Sequence, residues 1–148
     1  MPNQLKQPHR PILLVEDNAD DEELTLRSLK QCNLANEIVV ARDGVEALEY
    51  LHGARTVSAK ALPAVVILDL KLPKIDGFGV LKRIREHPKT RSLPVVVLTS
   101  SAEDSDILAT YDLGGNSYVR KPVKMDDFAR ATAQLGLYWT VVNLAVGS

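Results

Sequence analysis

The chain has 148 residues, 45% of them hydrophobic, with 18 basic against 19 acidic residues and a net charge of −1. That is enough apolar side chain for one core in a single domain, and the near balance of charge argues against general attraction to nucleic acid or an anionic membrane. Cys32 is the one cysteine, which excludes an internal disulfide and suits a reducing, cytoplasmic setting.

The first ten residues, MPNQLKQPHR, lack the apolar centre of a secretion signal and read as a flexible tail. No later apolar run reaches membrane-spanning length. Five short apolar runs follow: ILLV at 12–15, EIVVA at 37–41, AVVIL at 64–68, LPVVVL at 93–98 and SYV at 117–119. They are β-branched and continuous rather than alternating, as strands covered on both faces are. Between them lie helical patterns. The stretch from Ala19 to Cys32 opens on acidic residues, which favour a helix N-terminus. Gly44, Ala47, Leu48 and Leu51, and then Gly77, Val80, Leu81 and Ile84, fall on one helical face. Ala102 to Leu113 follows Ser100-Ser101 and stops at Gly114-Gly115, and a last helix begins near Lys124. The order is (βα)5, which predicts an α/β fold with a five-stranded parallel sheet, doubly wound with helices on both faces.

In an open parallel sheet ligands bind beyond the carboxyl ends of the strands. The first strand ends in Glu16-Asp17, the third in Asp69, the fourth in Thr99-Ser100 and the fifth in Arg120-Lys121. Three carboxylates in one cleft repel one another and call for a cation or a basic partner. All-oxygen ligands without a His or Cys cluster favour Mg²⁺. A carboxylate beside Mg²⁺ is able to attack a phosphoryl group, and Lys121 and the Thr99 hydroxyl are placed to steady its oxygens. Any one of these residues alone reads as well as a cap or turn residue. What argues for chemistry is that all five sit at carboxyl ends.

The residues LLVEDN at 13–18, VVILDLKLPKIDG at 65–77, VVVLTS at 95–100 and YVRKP at 118–122 resemble the four ordered motifs of the CheY-like receiver domain of two-component response regulators. The intervals from Asp69 to Thr99 and from Thr99 to Lys121 fit the family's usual spacing. The resemblance covers residues 11–136 and implies a flavodoxin-like fold. It also implies roles. Asp69 is the phosphoacceptor. Glu16, Asp17, Asp69 and the backbone carbonyl of Lys71 hold Mg²⁺. Thr99 and Tyr118 are the switch residues, and Lys121 contacts the phosphoryl group. The donor is a histidine kinase, and the product is a changed surface rather than a turned-over substrate, so no enzyme activity is expected. Glu16 departs from the more usual Asp, and Lys71 and Ser101 stand where the family tunes the phosphoryl lifetime.

The longer connection HGARTVSAKALP (52–63), the DNADDEELTLRSL start and the C-terminal tail are similar to the stand-alone, phytochrome-associated (Rcp-type) response regulators. The alternative input is a chemotaxis-like or phosphorelay kinase. After Gly136 only LYWTVVNLAVGS (137–148) remains, with no DNA-binding domain, so output is expected through the receiver surface. Phe128, Ala131, Leu135, Tyr138 and Val142 form one apolar stripe, and Leu137, Val141 and Leu144 a second. A helix docked on its own domain needs one stripe. The surplus, with Ile107 and Tyr111, predicts a homodimer through the fourth helix, fifth strand, fifth helix and the tail.

Other readings fare worse. A haloacid-dehalogenase-type phosphatase also uses an Asp nucleophile with Mg²⁺, but it wants a second Asp where Lys71 stands. A flavodoxin-like nucleotide or flavin binder wants a Gly-rich or Ser/Thr-rich phosphate loop where EDNADDEE stands. A pseudo-receiver scaffold would not need the full set of site residues.

Overall fold

The structure, a computed structural model, describes residues 10–31, 36–53, 62–99, 117–121, 124, 126, 127 and 130. Its elements run β1 (Ile12–Val15), α1 (Ala19–Gln31), β2 (Ile38–Ala41), α2 (Gly44–His52), β3 (Val65–Asp69), α3 (Gly77–Glu86), β4 (Val95–Thr99) and β5 (Ser117–Arg120). The five strands form one parallel sheet in the order β2-β1-β3-β4-β5. The predicted fold class is therefore borne out. The helix expected over 102–113, most of the last helix and the 137–148 tail lie outside the described residues.

The continuous apolar runs are sorted by the two-residue pleat into two cores. Leu13, Val15, Val66, Leu68, Val95 and Val97 face one way and meet Ala47 and Leu51 of α2 with Val80, Leu81 and Ile84 of α3. Ile12, Leu14, Val65, Ile67, Val96 and Leu98 face the other way and meet Leu29 of α1. Helices thus cover both faces, and no strand position in the middle of the sheet is left for a polar group. α1, α2 and α3 each start on a polar cap. Asn18 Oδ1 accepts from the Asp21 N–H at 2.9 Å, Asp43 Oδ1 from the Glu46 N–H at 2.8 Å, and Asp76 Oδ1 from the Gly79 N–H at 2.9 Å.

The strand order places a switch point between β1 and β3. The chain leaves β1 toward β2 on one side and returns to β3 on the other. The loops after β1 and β3 therefore diverge and leave a crevice at the carboxyl edge, where side chains of both strand ends meet.

The β3–α3 loop, which follows the crevice, is held tightly. A Cβ on Gly44 would overlap the Ile75 carbonyl, so α2 starts in direct backbone contact with the loop. Lys74 adopts φ 67 and pairs with Asp43 Oδ2 at 3.2 Å. A non-glycine residue in the left-handed region costs roughly 1–2 kcal/mol, and such strain collects at functional loops.

Candidate functional site

Glu16 follows directly from the last residue of β1 and is completely buried, while Asp17 beside it is exposed. Asp69 closes β3 and is 4% exposed. One carboxylate oxygen from each of the three lies within 4.8 Å of the others. Strand register explains the grouping. Val15 pairs with Leu68, so Glu16 and Asp69 leave neighbouring strands at the same height.

Lys121, the residue after β5, reaches across the edge of the sheet into this group. Its Nζ lies 2.8 Å from Glu16 Oε1, 3.0 Å from Asp69 Oδ2 and 3.1 Å from Asp21 Oδ2. The directed hydrogen bonds of the ammonium go to Asp69 and Asp21. Glu16 Oε1, though close, receives none at hydrogen-bonding angles, so this buried oxygen meets the ammonium by charge contact rather than by a directed hydrogen bond. The other oxygen, Oε2, accepts from the Asn18 N–H at 3.3 Å. Asp69 Oδ1 accepts from the Lys71 N–H at 3.2 Å.

The electrostatics follow from burial. Desolvation pushes the Glu16 carboxyl up to about 7, with the Asp69 charge adding to the rise and Lys121 opposing it. For Lys121 burial alone would lower the pKa, but its contacts with Glu16, Asp69 and Asp21 outweigh that and raise it above the usual lysine range. The lysine is firmly charged, and one cation faces more negative charge than it balances.

A hard divalent cation fits this donor set. The three carboxylates supply oxygen ligands, and buried Glu16 Oε1 has no directed hydrogen bond to give up to a metal.

The structure thus brings Glu16, Asp17, Asp69 and Lys121 together as expected. Thr99 is the last residue of β4, and because Asp69 pairs with Leu98 it stands one position beyond, at the same edge. Tyr118 pairs with Val97 in the interior of β5. The side chains of Thr99 and Tyr118 lie outside the described residues. Sequence reasoning missed Asp21. In the sequence it is one of several acids at a helix start, but as the third residue of α1, held by the Asn18 cap, it reaches the Lys121 ammonium. Asp43, two residues after β2, is the α2 cap.

A 2-1-3-4-5 parallel sheet whose carboxyl edge carries three clustered acids spanned by a lysine defines a CheY-like receiver. Comparison with known proteins agrees. The family model for the response regulator receiver domain matches residues 12–133. The chain belongs to the response regulator receiver domain family.

Among its relatives, the probable methanogenesis regulatory protein FilR2 of Methanothrix harundinacea is 39% identical over 136 residues, 92% of this chain and 87% of that protein. Response regulator Rcp1 of Synechocystis is 35% identical over 132 residues, covering 89% and 90%. Among solved structures, the bacteriophytochrome response regulator AtBRR superposes with a TM-score of 0.79 at 49% identity, over 93% of this chain and 99% of that one. The Mn²⁺-bound form of Rcp1 gives a TM-score of 0.68 at 34% identity, over 88% and 94%. The chain is a response regulator similar to the phytochrome-associated ones, and among the described residues no helix is long and apolar enough to cross a membrane.

Proposed function

We propose that Asp69 is the phosphoacceptor of this receiver, that it works with Mg²⁺, and that its donor is a phytochrome-type histidine kinase. The observation that carries this is the placement of one buried carboxylate at the end of β3. Its two oxygens are held by the Lys71 N–H and by Lys121, beside two further acids. In the reaction an Asp69 oxygen forms a bond to phosphorus as the bond from phosphorus to the donor imidazole nitrogen breaks. The electron pair stays on that nitrogen, which takes up a proton, and the product is an acyl phosphate.

Glu16, Asp17, Asp69 and the Lys71 carbonyl would hold the metal. When bound it supplies positive charge to the phosphoryl oxygens and neutralises the acids. Rcp1, described in a Mn²⁺-bound form, and AtBRR, described as a bacteriophytochrome response regulator, support the metal and the light-sensing input respectively.

The chain's own residues do the rest. Lys121 meets the new charge. Thr99, at the edge of β4, turns toward it, and Tyr118 follows on β5, so that added charge biases a two-state element. The proposed homodimer uses the fourth helix, fifth strand, fifth helix and tail. A monomer by sedimentation, with and without phosphorylation, would remove it.

The decisive experiment is incubation with acetyl phosphate and Mg²⁺ followed by intact mass. The wild type gains one phosphoryl group and Asp69→Asn gains none. Equal labelling of the two defeats the assignment.

A further inference from the structure

The three carboxylates that meet Lys121 are not equivalent. Glu16 and Asp69 belong to the set of acids that lie within 4.8 Å of one another, while Asp21 does not. We propose that Asp21 is a positioning residue: it is the counter-ion that keeps the Lys121 ammonium over Asp69 when a divalent cation draws on Glu16, Asp17 and Asp69. The inference rests on the reading of Asp69 as a metal-assisted phosphoacceptor.

The need for such a residue follows from charge. Lys121 Nζ has three protons and three acidic neighbours, Glu16, Asp69 and Asp21. A divalent cation engages the first two and at the same time repels the ammonium. Both effects act in a part-buried pocket where water screens poorly. Lys121 sits at the end of a flexible stem on the residue after β5, and without another anion it would be displaced toward solvent just when it must be close to the arriving phosphoryl oxygens.

Asp21 is suited to hold it. Its Oδ2 accepts one of the two directed bonds of the ammonium, at 3.1 Å. Its position is set by the backbone, because the Asp21 N–H is held by the Asn18 cap at 2.9 Å. The Asn18 N–H in turn donates to Glu16 Oε2, so one residue registers both acids against the lysine. The Asp21 side chain is 38% exposed, against 0% for Glu16, so it carries its charge at little desolvation cost.

The test reads the position of Lys121 directly. The full-length protein is treated briefly with acetic anhydride, with and without Mg²⁺, and acetylation of Lys121 is quantified by peptide mass. In the wild type Lys121 stays protected in both conditions. In Asp21→Ala its reactivity rises by up to about fivefold when Mg²⁺ is added, the upper end for losing one part-exposed ion pair. Phosphorylation by acetyl phosphate slows by a similar factor, and Asp21→Glu, which keeps the charge, recovers most of both. The same Mg²⁺ response in wild type and Asp21→Ala overturns the proposal, as does faster phosphorylation of Asp21→Ala, which would make Asp21 a brake. If Asp21→Ala does not fold, Asp21→Asn supplies the charge-free comparison under the same criteria. Failure of the wild type itself to gain a phosphoryl mass would count against the Asp69 reading instead.

Discussion

The imidazole rings of His52 and His87 stack with centroids 4.1 Å apart and planes 13° from parallel, joining the end of α2 to the end of α3. Thr90 locks the pair. Its hydroxyl donates to the Ile84 carbonyl at 2.8 Å, so it must accept from His52 Nε2, also at 2.8 Å. That arrangement holds the His52 proton on Nε2. At the other end of α2, Asp43 and Gly44 grip the loop that follows Asp69. The two helices therefore frame the loop that follows Asp69 as one unit.

This junction predicts a pH dependence of stability. Burial lowers the His52 pKa below its ordinary 6.5, with the neighbouring His87 and Lys89 adding to the shift. The unfolded chain then binds the proton more readily than the folded one. The contribution of His52 is complete above 6.5 and is lost as pH falls from there through the folded value. Urea unfolding from about pH 8 to about pH 5 checks it: His52→Gln, which can still donate to Thr90, loses less stability across that window than the wild type. Parallel curves would refute the assignment.

Thr90 is 1% exposed and serves as donor and acceptor at once. Thr90→Val leaves the Ile84 carbonyl and the His52 N–H without it, at a cost of about 1–3 kcal/mol. Thr90→Ser keeps the hydroxyl and should recover most of that in the same denaturation assay.

Two glycines of α3 separate close packing from simple helix propensity. A Cβ on Gly77 would overlap the Asp69 carbonyl and press on Leu70 Cα, both backbone atoms unable to yield cheaply. Gly77→Ala is expected to lose about 1–3 kcal/mol, as overpacked sites do. It should also slow labelling by acetyl phosphate, because the clash displaces Asp69. On Gly79 the added methyl would meet no backbone atom, but it would press on the γ-methyl branch of Ile75 at 2.9 Å, with the Asp76 carboxylate at 3.5 Å. Gly79→Ala gains up to about 1 kcal/mol of helix propensity, which the stiff Ile75 branch opposes, and should cost clearly less than Gly77→Ala. Thermal melts of the two variants, with labelling rates, distinguish them.

Lys121→Met removes the cation from a buried group of acids. Breaking such a cluster costs about 3 kcal/mol, eased where Glu16 takes up a proton instead. Mg²⁺ should then raise the melting temperature of Lys121→Met by more than that of the wild type, since the metal replaces missing positive charge and binds only the folded state. Equal Mg²⁺ increments would show that Lys121 and the metal do not share these acids.

Much of this was legible in the residues. Apolar runs such as ILLV and AVVIL, too continuous for a half-exposed strand, specify a sheet buried on both sides, and the acids that end them specify where chemistry sits. Local rules suffice there, because strand pattern, caps and the strand-end position of Glu16, Asp17 and Asp69 depend on neighbours in the chain. What those rules do not reach is which residues distant in sequence meet. That Lys121 chooses Asp21 as well as Asp69, that Asp43 caps a helix while its neighbours in kind form the site, and that His52 lies flat on His87 are set by how α1, α2 and α3 dock on the sheet. A carboxylate's role is decided by what faces it, and facing is a property of packing, not of order along the chain.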